Sequence, residues 1–420
     1  MDSILKLIGS CLCYEHVFSR YTVPEVTING EKYIVNELIA EDNDCYKYTI
    51  TSQSSLNSAR ANPSSGSDNN GNKYILKRVN CFTMEDLKIA LTEINYYNTF
   101  DCKYIMKLVD SQILQQYNGL IHGVPEISNG SSLTLGSSYS STSTNNISKV
   151  CNIVFPYFPL GTIDDLMNKS IINNDFVLNE NEIIEILLGV ARALQYLHNP
   201  ELRNESHHIE PSNNINTTVN DTYKTTTPIL KSDTPLEHIL NESETVSSGS
   251  NFNNNVYIGM NLSPFNIFIQ KNQQNDNEEY EFTPVIGDLS CCIKSSEICN
   301  SIQFKEWLDR IGHVEYKAPE LIQKNIEVIS TKSDIWSFGC LTYALIYGTS
   351  PFKREEELRG SSLSYSVNIG KFSFPEKAEK YTDTAFTKLN ELNELITKCL
   401  KVDPNQRLDT TSVIEFITTL

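Results

Sequence analysis

The chain has 420 residues, 40% hydrophobic and 20% charged, which supplies apolar material for a large core and excludes wholesale disorder. Its 34 basic and 52 acidic residues leave a net charge of −18, and so acidic a chain is repelled by nucleic-acid phosphates. The eleven cysteines, an odd number without metal-ligand spacing, read as free thiols, and no run reaches the roughly 18–20 apolar residues of a membrane span, so a cytoplasmic chain is expected.

Residues 1–29 form a leading segment without the basic start and apolar core of a secretory signal. Cys11 and Cys13 within it are either buried thiols of a short amphipathic stretch or acceptors for palmitate, and two acyl chains suffice for stable membrane attachment. Strands are predicted at Lys32-Tyr33-Ile34-Val35 and across 73–79, which carry β-branched and aromatic residues. Between 84 and 100 the spacing turns helical, with Leu87, Ala90, Leu91, Ile94 and Tyr97 on one stripe and Glu93 beside it. A further strand is predicted at 152–155, and Leu160-Gly161 marks the way out of it.

Helices dominate the rest. The stretch 182–198 is amphipathic; 335–347 is apolar nearly all round, with Ser333 or Asp334 as its cap and Gly348 as its stop; 389–400 and 411–416 are amphipathic again. Three stretches rich in Ser, Asn, Gly and Thr, at 51–72, 116–149 and 199–256, keep no period and read as low-complexity insertions. Strands first and helices afterwards define an α+β protein of two lobes, a β-rich N-lobe at 30–158 and a helical C-lobe at 159–420.

Short motifs fall in a fixed order: Tyr74-Ile75-Leu76-Lys77, Glu93, Leu262-Ser263-Pro264-Phe265-Asn266, Gly287-Asp288-Leu289, Ala318-Pro319-Glu320, Asp334-Ile335-Trp336-Ser337-Phe338-Gly339 and Asp403-Pro404-Asn405-Gln406-Arg407. In this order they resemble the eukaryotic protein kinase domain. Phe304-Lys305-Glu306-Trp307-Leu308 is similar to the extra activation-segment helix of the Numb-associated kinase family. Leu187-Leu188-Gly189-Val190, Asp288-Leu289-Ser290 and the early cysteines resemble its small, lipid-anchored Golgi branch. Relatives of that branch carry a glycine after the initiator Met; Asp2 stands there, so myristoylation is not expected and palmitoylation of Cys11 and Cys13 remains.

The resemblance implies a nucleotide site. Lys77 would reach the α- and β-phosphates and pair with Glu93, and Asn266 and Asp288 would hold magnesium through oxygen. Outside a kinase, Lys77 and Glu93 would be solvent charges, Asn266 a turn residue and Asp288 a strand-end cap. Other positions depart from the pattern. The family's base is an aspartate; here it is Asn261, which takes no proton near neutral pH. The lysine two residues on is Ser263, and the arginine before the base is Met260. The glycine-rich loop reads Ala40-Glu41-Asp42-Asn43-Asp44-Cys45-Tyr46-Lys47, a glycine-free charged turn. Ile75 and Phe155 add bulk to the adenine slot, whereas Lys47, on a flexible stem, is free to swing out of it. His313 replaces a threonine and Gly259 removes a ring from the stack between the lobes.

Glu320, Arg407 and Asp334, which bear the fold, are retained. The pattern therefore implies a pseudokinase that acts as a binding or scaffold module. The alternative is a divergent serine/threonine kinase that transfers the ATP γ-phosphate to protein hydroxyls, and a third reading is a binder of some other ligand in the same cleft. ATP and Mg2+ are the expected cofactors where nucleotide binding survives, and none where it does not. The expected partner is a protein, as substrate or as bound client, with peripheral membrane contact through Cys11 and Cys13.

Overall fold

A computed structural model describes residues 25–42, 44–54, 73–117, 120–121, 147–173, 178–205, 255–274, 279–375 and 386–420. Cys11, Cys13 and the larger part of each predicted insertion lie outside them.

The β-branched stretches pair into one antiparallel sheet. Its strands are β1 (Glu25–Ile28), β2 (Glu31–Asp42), β3 (Cys45–Ser52), β4 (Lys73–Cys81), β5 (Asp110–Tyr117), β6 (Leu120–Ile121) and β7 (Ile147–Pro156), in the order β1-β2-β3-β4-β7-β5-β6. Period-two alternation divides the side chains between two faces. On the outer face Ile28, Tyr33, Ile50, Leu76 and Val154 make a small apolar cluster. On the inner face Ile75, Ile153 and Phe155 join the main core, which helix α1 (Met84–Thr99) completes with Leu87, Ala90, Ile94 and Tyr97. Thr83 and Asp86 close a capping box at the start of α1, so its first turn is fixed where the chain leaves β4.

The predicted insertions begin and end inside regular structure. Residues 51–52 finish β3, Tyr117 pairs with Ile147 where β5 meets β7, and Pro200–Glu205 form a helix. Ladder hydrogen bonds belong to the backbone, so strands run on into residues whose composition alone reads as loop.

The C-lobe is helical: α2 (Ile163–Asn173), α3 (Glu180–His198), α4 (Pro200–Glu205), α5 (Ile302–Arg310), α6 (Pro319–Ile322), α7 (Lys332–Tyr347), α8 (Pro351–Arg359), α9 (Leu363–Ile369), α10 (Leu389–Cys399) and α11 (Thr410–Thr418). A hairpin of β9 (Ile267–Gln274) with β10 (Glu279–Ile286), and a two-stranded antiparallel pair of β8 (Tyr257–Ile258) with β11 (Ile293–Lys294) that brackets it in the chain, lie where the lobes meet. From Ser333 onward every residue of α7 is buried, as its apolar sequence requires. Its start differs from the prediction. Thr331 is the residue before the helix, and Ser333 and Asp334 lie within the first turn because both side chains bind elsewhere. Gly348 stops α7 in the left-handed region, at φ 77°.

Arg203 closes the lobe beside α3. Its buried guanidinium donates to the carbonyl oxygens of Tyr196, Leu197 and Asn255 and lies 5.0 Å from the ring of Tyr257. One side chain thus ties the chain before residue 206 to the chain after residue 254.

Candidate active site in the interlobe cleft

Alternation along β4 turns Lys77 to the inner face, and the spacing of α1 turns Glu93 toward it. The ammonium donates to Glu93 Oε1 at 2.8 Å and Oε2 at 2.9 Å, with both side chains buried. These two are therefore not solvent charges. The Tyr97 hydroxyl, one turn further along α1, donates to Glu93 Oε1 at 3.2 Å and accepts from the Leu289 N–H at 3.0 Å. A phenol thereby couples the helix to the segment that carries Asp288.

Asp288 follows β10 in a left-handed backbone conformation at φ 55°, ψ 69°. Its Oδ1 accepts from Lys77 at 2.9 Å and from the Ser290 hydroxyl at 2.7 Å, and its Oδ2 lies 3.6 Å from Lys47 Nζ. Lys47 and Lys77 are direct register partners on β3 and β4. Like charges placed so repel unless an anion lies between them, and Asp288 is that anion. Lys47 therefore does not swing out of the cleft: its stem runs along the roof and its head ends at the carboxylate.

Burial opposes ionisation of Asp288, but Lys77 and Lys47, aided by Ser290, outweigh it and hold the carboxyl well below the usual range. Burial likewise pulls Lys77 down, yet Asp288 and Glu93 keep it charged well above its ordinary value. Glu93 is raised by burial against the opposing pull of Lys77.

The loop after β8 holds the other candidates. Asp334 of α7 accepts from the Gly259 N–H at 2.8 Å and the Met260 N–H at 2.9 Å, and faces His198 Nε2 at 2.9 Å. These contacts fix Met260 at φ 56° and present Asn261 next. Asn266 is shared within the loop. Its Nδ2 donates to the Asn261 carbonyl, and its Oδ1 accepts from the Ser263 N–H at 3.1 Å. Ser263 is buried and supplies no charge where the family lysine would. Asn261 Oδ1 is buried without a hydrogen-bond partner. Gly312, at φ 62°, lets the activation segment cross it closely, since a Cβ there would meet Met260 O at 3.3 Å and Asn261 Oδ1 at 3.4 Å. His313 stacks on Phe265 with ring centroids 4.3 Å apart, a packing contact.

The two clusters meet through the Gly287 N–H, which donates to the Asn266 carbonyl at 2.8 Å. Asn261, Ser263, Asn266, Lys77, Glu93 and Asp288 thus surround one cleft. Its walls are bulky. Ile75 and Phe155 are register partners in the core, Phe155 packs edge-on against Tyr97 at 4.9 Å, and Phe268 of β9 packs on Phe158 at 5.2 Å.

ATP and Mg2+ can be tested against these atoms. A hydrated divalent cation needs carboxylate oxygens free to face it. Both Asp288 oxygens face ammonium groups, and Asn266 Oδ1 already accepts from Ser263. In this arrangement the donor set does not fit the metal.

The scaffold beneath the cleft matches the expectation. Arg407 grips Glu320 in a fork at 2.7 and 2.8 Å, Ser333 donates to Glu320 Oε1 at 2.7 Å, and the guanidinium stacks 5.0 Å from Trp336. The predicted activation-segment helix is α5, whose Ser301 accepts from the Phe304 N–H at 3.0 Å. Sequence reasoning missed the Lys47–Asp288 contact, the Tyr97 bridge, Ser290 and Gly312. None of these had a legible signal: Lys47 lies opposite Lys77 only through the register of β3 on β4, and the second half of β3 and residues 53–72 separate the two along the chain.

A two-lobed α+β fold, a buried lysine–glutamate pair across the cleft and an arginine-clamped activation segment define a kinase fold. The chain belongs to the protein kinase family, whose protein kinase domain model matches residues 259–416. It is 30% identical to serine/threonine-protein kinase ENV7 of Saccharomyces cerevisiae over 99% of both chains. It is 24% identical to serine/threonine-protein kinase ppk13 of Schizosaccharomyces pombe, over 91% of this chain and 88% of that one. To serine/threonine-protein kinase 16 of Homo sapiens it is 20% identical, over 80% of this chain and 78% of that one.

Proposed function

We propose that this protein is a pseudokinase that works by binding a protein partner and holding it in place. The observation that carries this reading is Asn261. A primary amide at the position of the base neither accepts the hydroxyl proton nor carries charge, and loss of a positioned base costs about 10²–10⁴ in rate. The engagement of Asp288 by Lys47 and Lys77 supports it, because the charge that would recruit magnesium is already balanced inside the chain. Helix α5 supports placement in the Numb-associated kinase family, in the branch with a lipid-anchored start. On this reading the chain is cytoplasmic and rests on a membrane through Cys11 and Cys13.

The second reading, a divergent serine/threonine kinase, is favoured by the formed Lys77–Glu93 pair and by relatives named as serine/threonine kinases. Phosphate transfer from labelled ATP to a general protein substrate separates the two. The pseudokinase gives the same background for the wild-type chain and for Asp288→Ala. Transfer above background that Asp288→Ala abolishes overturns it.

A further inference from the structure

The outer face of the N-lobe sheet changes character along its length. Beside the apolar cluster built on Leu76 and Val154, the next row of that face carries Arg78, Asn152 and Gln112. They are register partners in turn, Arg78 opposite Asn152 and Asn152 opposite Gln112. Direct antiparallel partners share a face with Cβ atoms about 4.5–5.5 Å apart, so the three side chains stand next to one another in one row.

Their polar atoms are unmatched. Asn152 is 1% exposed, yet neither its Nδ2 nor its Oδ1 has a hydrogen-bond partner, and Gln112 Oε1 is buried without one. Among the described residues Arg78 makes no ion pair or hydrogen bond. Burial lowers its affinity for a proton, and the one neighbouring group that opposes this is Tyr48. Nearby acids do not answer the need. Asp110, two residues from Gln112 on the same face, accepts from Asn29 Nδ2 at 2.7 Å. Glu41 lies two strands from Arg78, beyond Tyr46.

Arg78 is half-buried, and natural interiors rarely leave a buried amide such as that of Asn152 unmatched, because each unmet group costs its full desolvation. We propose that Arg78, Asn152 and Gln112 form a binding site for a single carboxylate. The guanidinium offers a fork that matches both carboxylate oxygens, and the two amides offer further N–H donors. One fixed positive charge balances one carboxylate, whereas a phosphate dianion would keep an excess charge in a partly desolvated place. The site lies on the face of the sheet opposite to Lys77 and Asp288, so it stands or falls independently of nucleotide binding. An acidic side chain of a docked polypeptide and a free small carboxylate share this chemistry.

The test is thermal unfolding of the full chain in sodium acetate against sodium chloride at matched ionic strength. A second arm uses a blocked acetyl-Gly-Glu-Gly-amide and its Gln counterpart. A saturable rise in unfolding temperature is expected with acetate and with the Glu peptide, and none with the Gln peptide. A response to acetate alone assigns the site to small carboxylates, and a tighter response to the peptide assigns it to acidic side chains. Arg78→Met and Gln112→Leu each abolish the rise. Arg78→Met itself unfolds no earlier than the wild type, since it removes a half-buried charge that makes no ion pair or hydrogen bond among the described residues. Arg78→Lys does not restore binding, because a point charge lacks the fork. No saturable rise, or an equal rise in Arg78→Met, overturns the proposal. Tighter binding of inorganic phosphate than of acetate, lost in Arg78→Met, overturns the carboxylate assignment.

Discussion

Replacing Lys47 by methionine tests whether an internal ammonium stands in for the metal at Asp288. The side chain keeps its length and its packing along the cleft roof and loses its charge. At 3.6 Å the Coulomb attraction between the two groups is about 1 kcal/mol in bulk water and about 5 kcal/mol at an effective dielectric constant of 20. The side chains keep 32% and 23% of their exposure, so the lower half of that range, roughly 1–3 kcal/mol, applies. A divalent cation that approaches Asp288 has to overcome this attraction together with the repulsion of the ammonium. Lys47→Met should therefore tighten magnesium-dependent nucleotide binding roughly 5- to 100-fold, at about 1.4 kcal/mol per decade. Thermal unfolding of the full chain with Mg-ADP reads this directly, because a ligand at a hundred times its Kd adds about 2.7 kcal/mol. The wild type should show no shift at millimolar nucleotide and the variant a clear one. Equal affinity in the two chains, or tighter binding by the wild type, would refute the reasoning and make Lys47 a phosphate ligand.

Asn261→Asp should not restore transfer by itself, and urea unfolding should show it about 1–3 kcal/mol less stable, since a carboxylate would replace an oxygen already buried without a donor. Arg407→Leu leaves Glu320 buried and unpaired and should cost about 3–5 kcal/mol in the urea midpoint, a loss that Glu320→Leu in the same chain partly recovers. The folded pKa of Asp288 is depressed, so its contribution is present above its unfolded value of 3.8 and lost as the pH falls toward the folded one. Glu93, which is raised, works in the opposite sense above its unfolded value of 4.5. Stability followed from pH 5 to pH 2 should accordingly fall less steeply in Asp288→Asn than in the wild type. A fatty-acid label on the expressed chain should be sensitive to hydroxylamine and vanish in the Cys11→Ser, Cys13→Ser double variant; a label that persists removes the proposed anchor.

Elements whose neighbours are local were legible in the sequence. The stripe of Leu87, Ala90, Ile94 and Tyr97 announced α1, and Asn179 and Glu182 close a capping box where the amphipathic stretch of α3 begins. The fold-bearing charges Glu320, Arg407 and Asp334 were legible for a different reason, since each lies in a short motif whose neighbours are also retained. What escaped depended on register or on competition for a side chain. Asp334 looks like a helix cap until its carboxylate is seen holding the N–H groups of Gly259 and Met260 in the loop after β8, which leaves the start of α7 to Thr331. The strands at 116–117 and 147–149 are polar, and only their partners across the ladder make them strands. Lys47 has no preference of its own for the cleft; a carboxylate more than two hundred positions later along the chain draws it in.

Arg203 has a consequence for how this lobe tolerates change. Because the carbonyls of Tyr196, Leu197 and Asn255 share one guanidinium, the flanks of residues 206–254 are held to the C-lobe and to each other by a fastening that does not belong to the segment between them. Closing a longer loop between fixed ends adds only about 0.6 kcal/mol for each doubling of length. The stretch is therefore a place where sequence can drift, and where a fluorescent domain or an epitope can be spliced in, while Gly259, Asn261 and Asn266 a few residues downstream keep their positions.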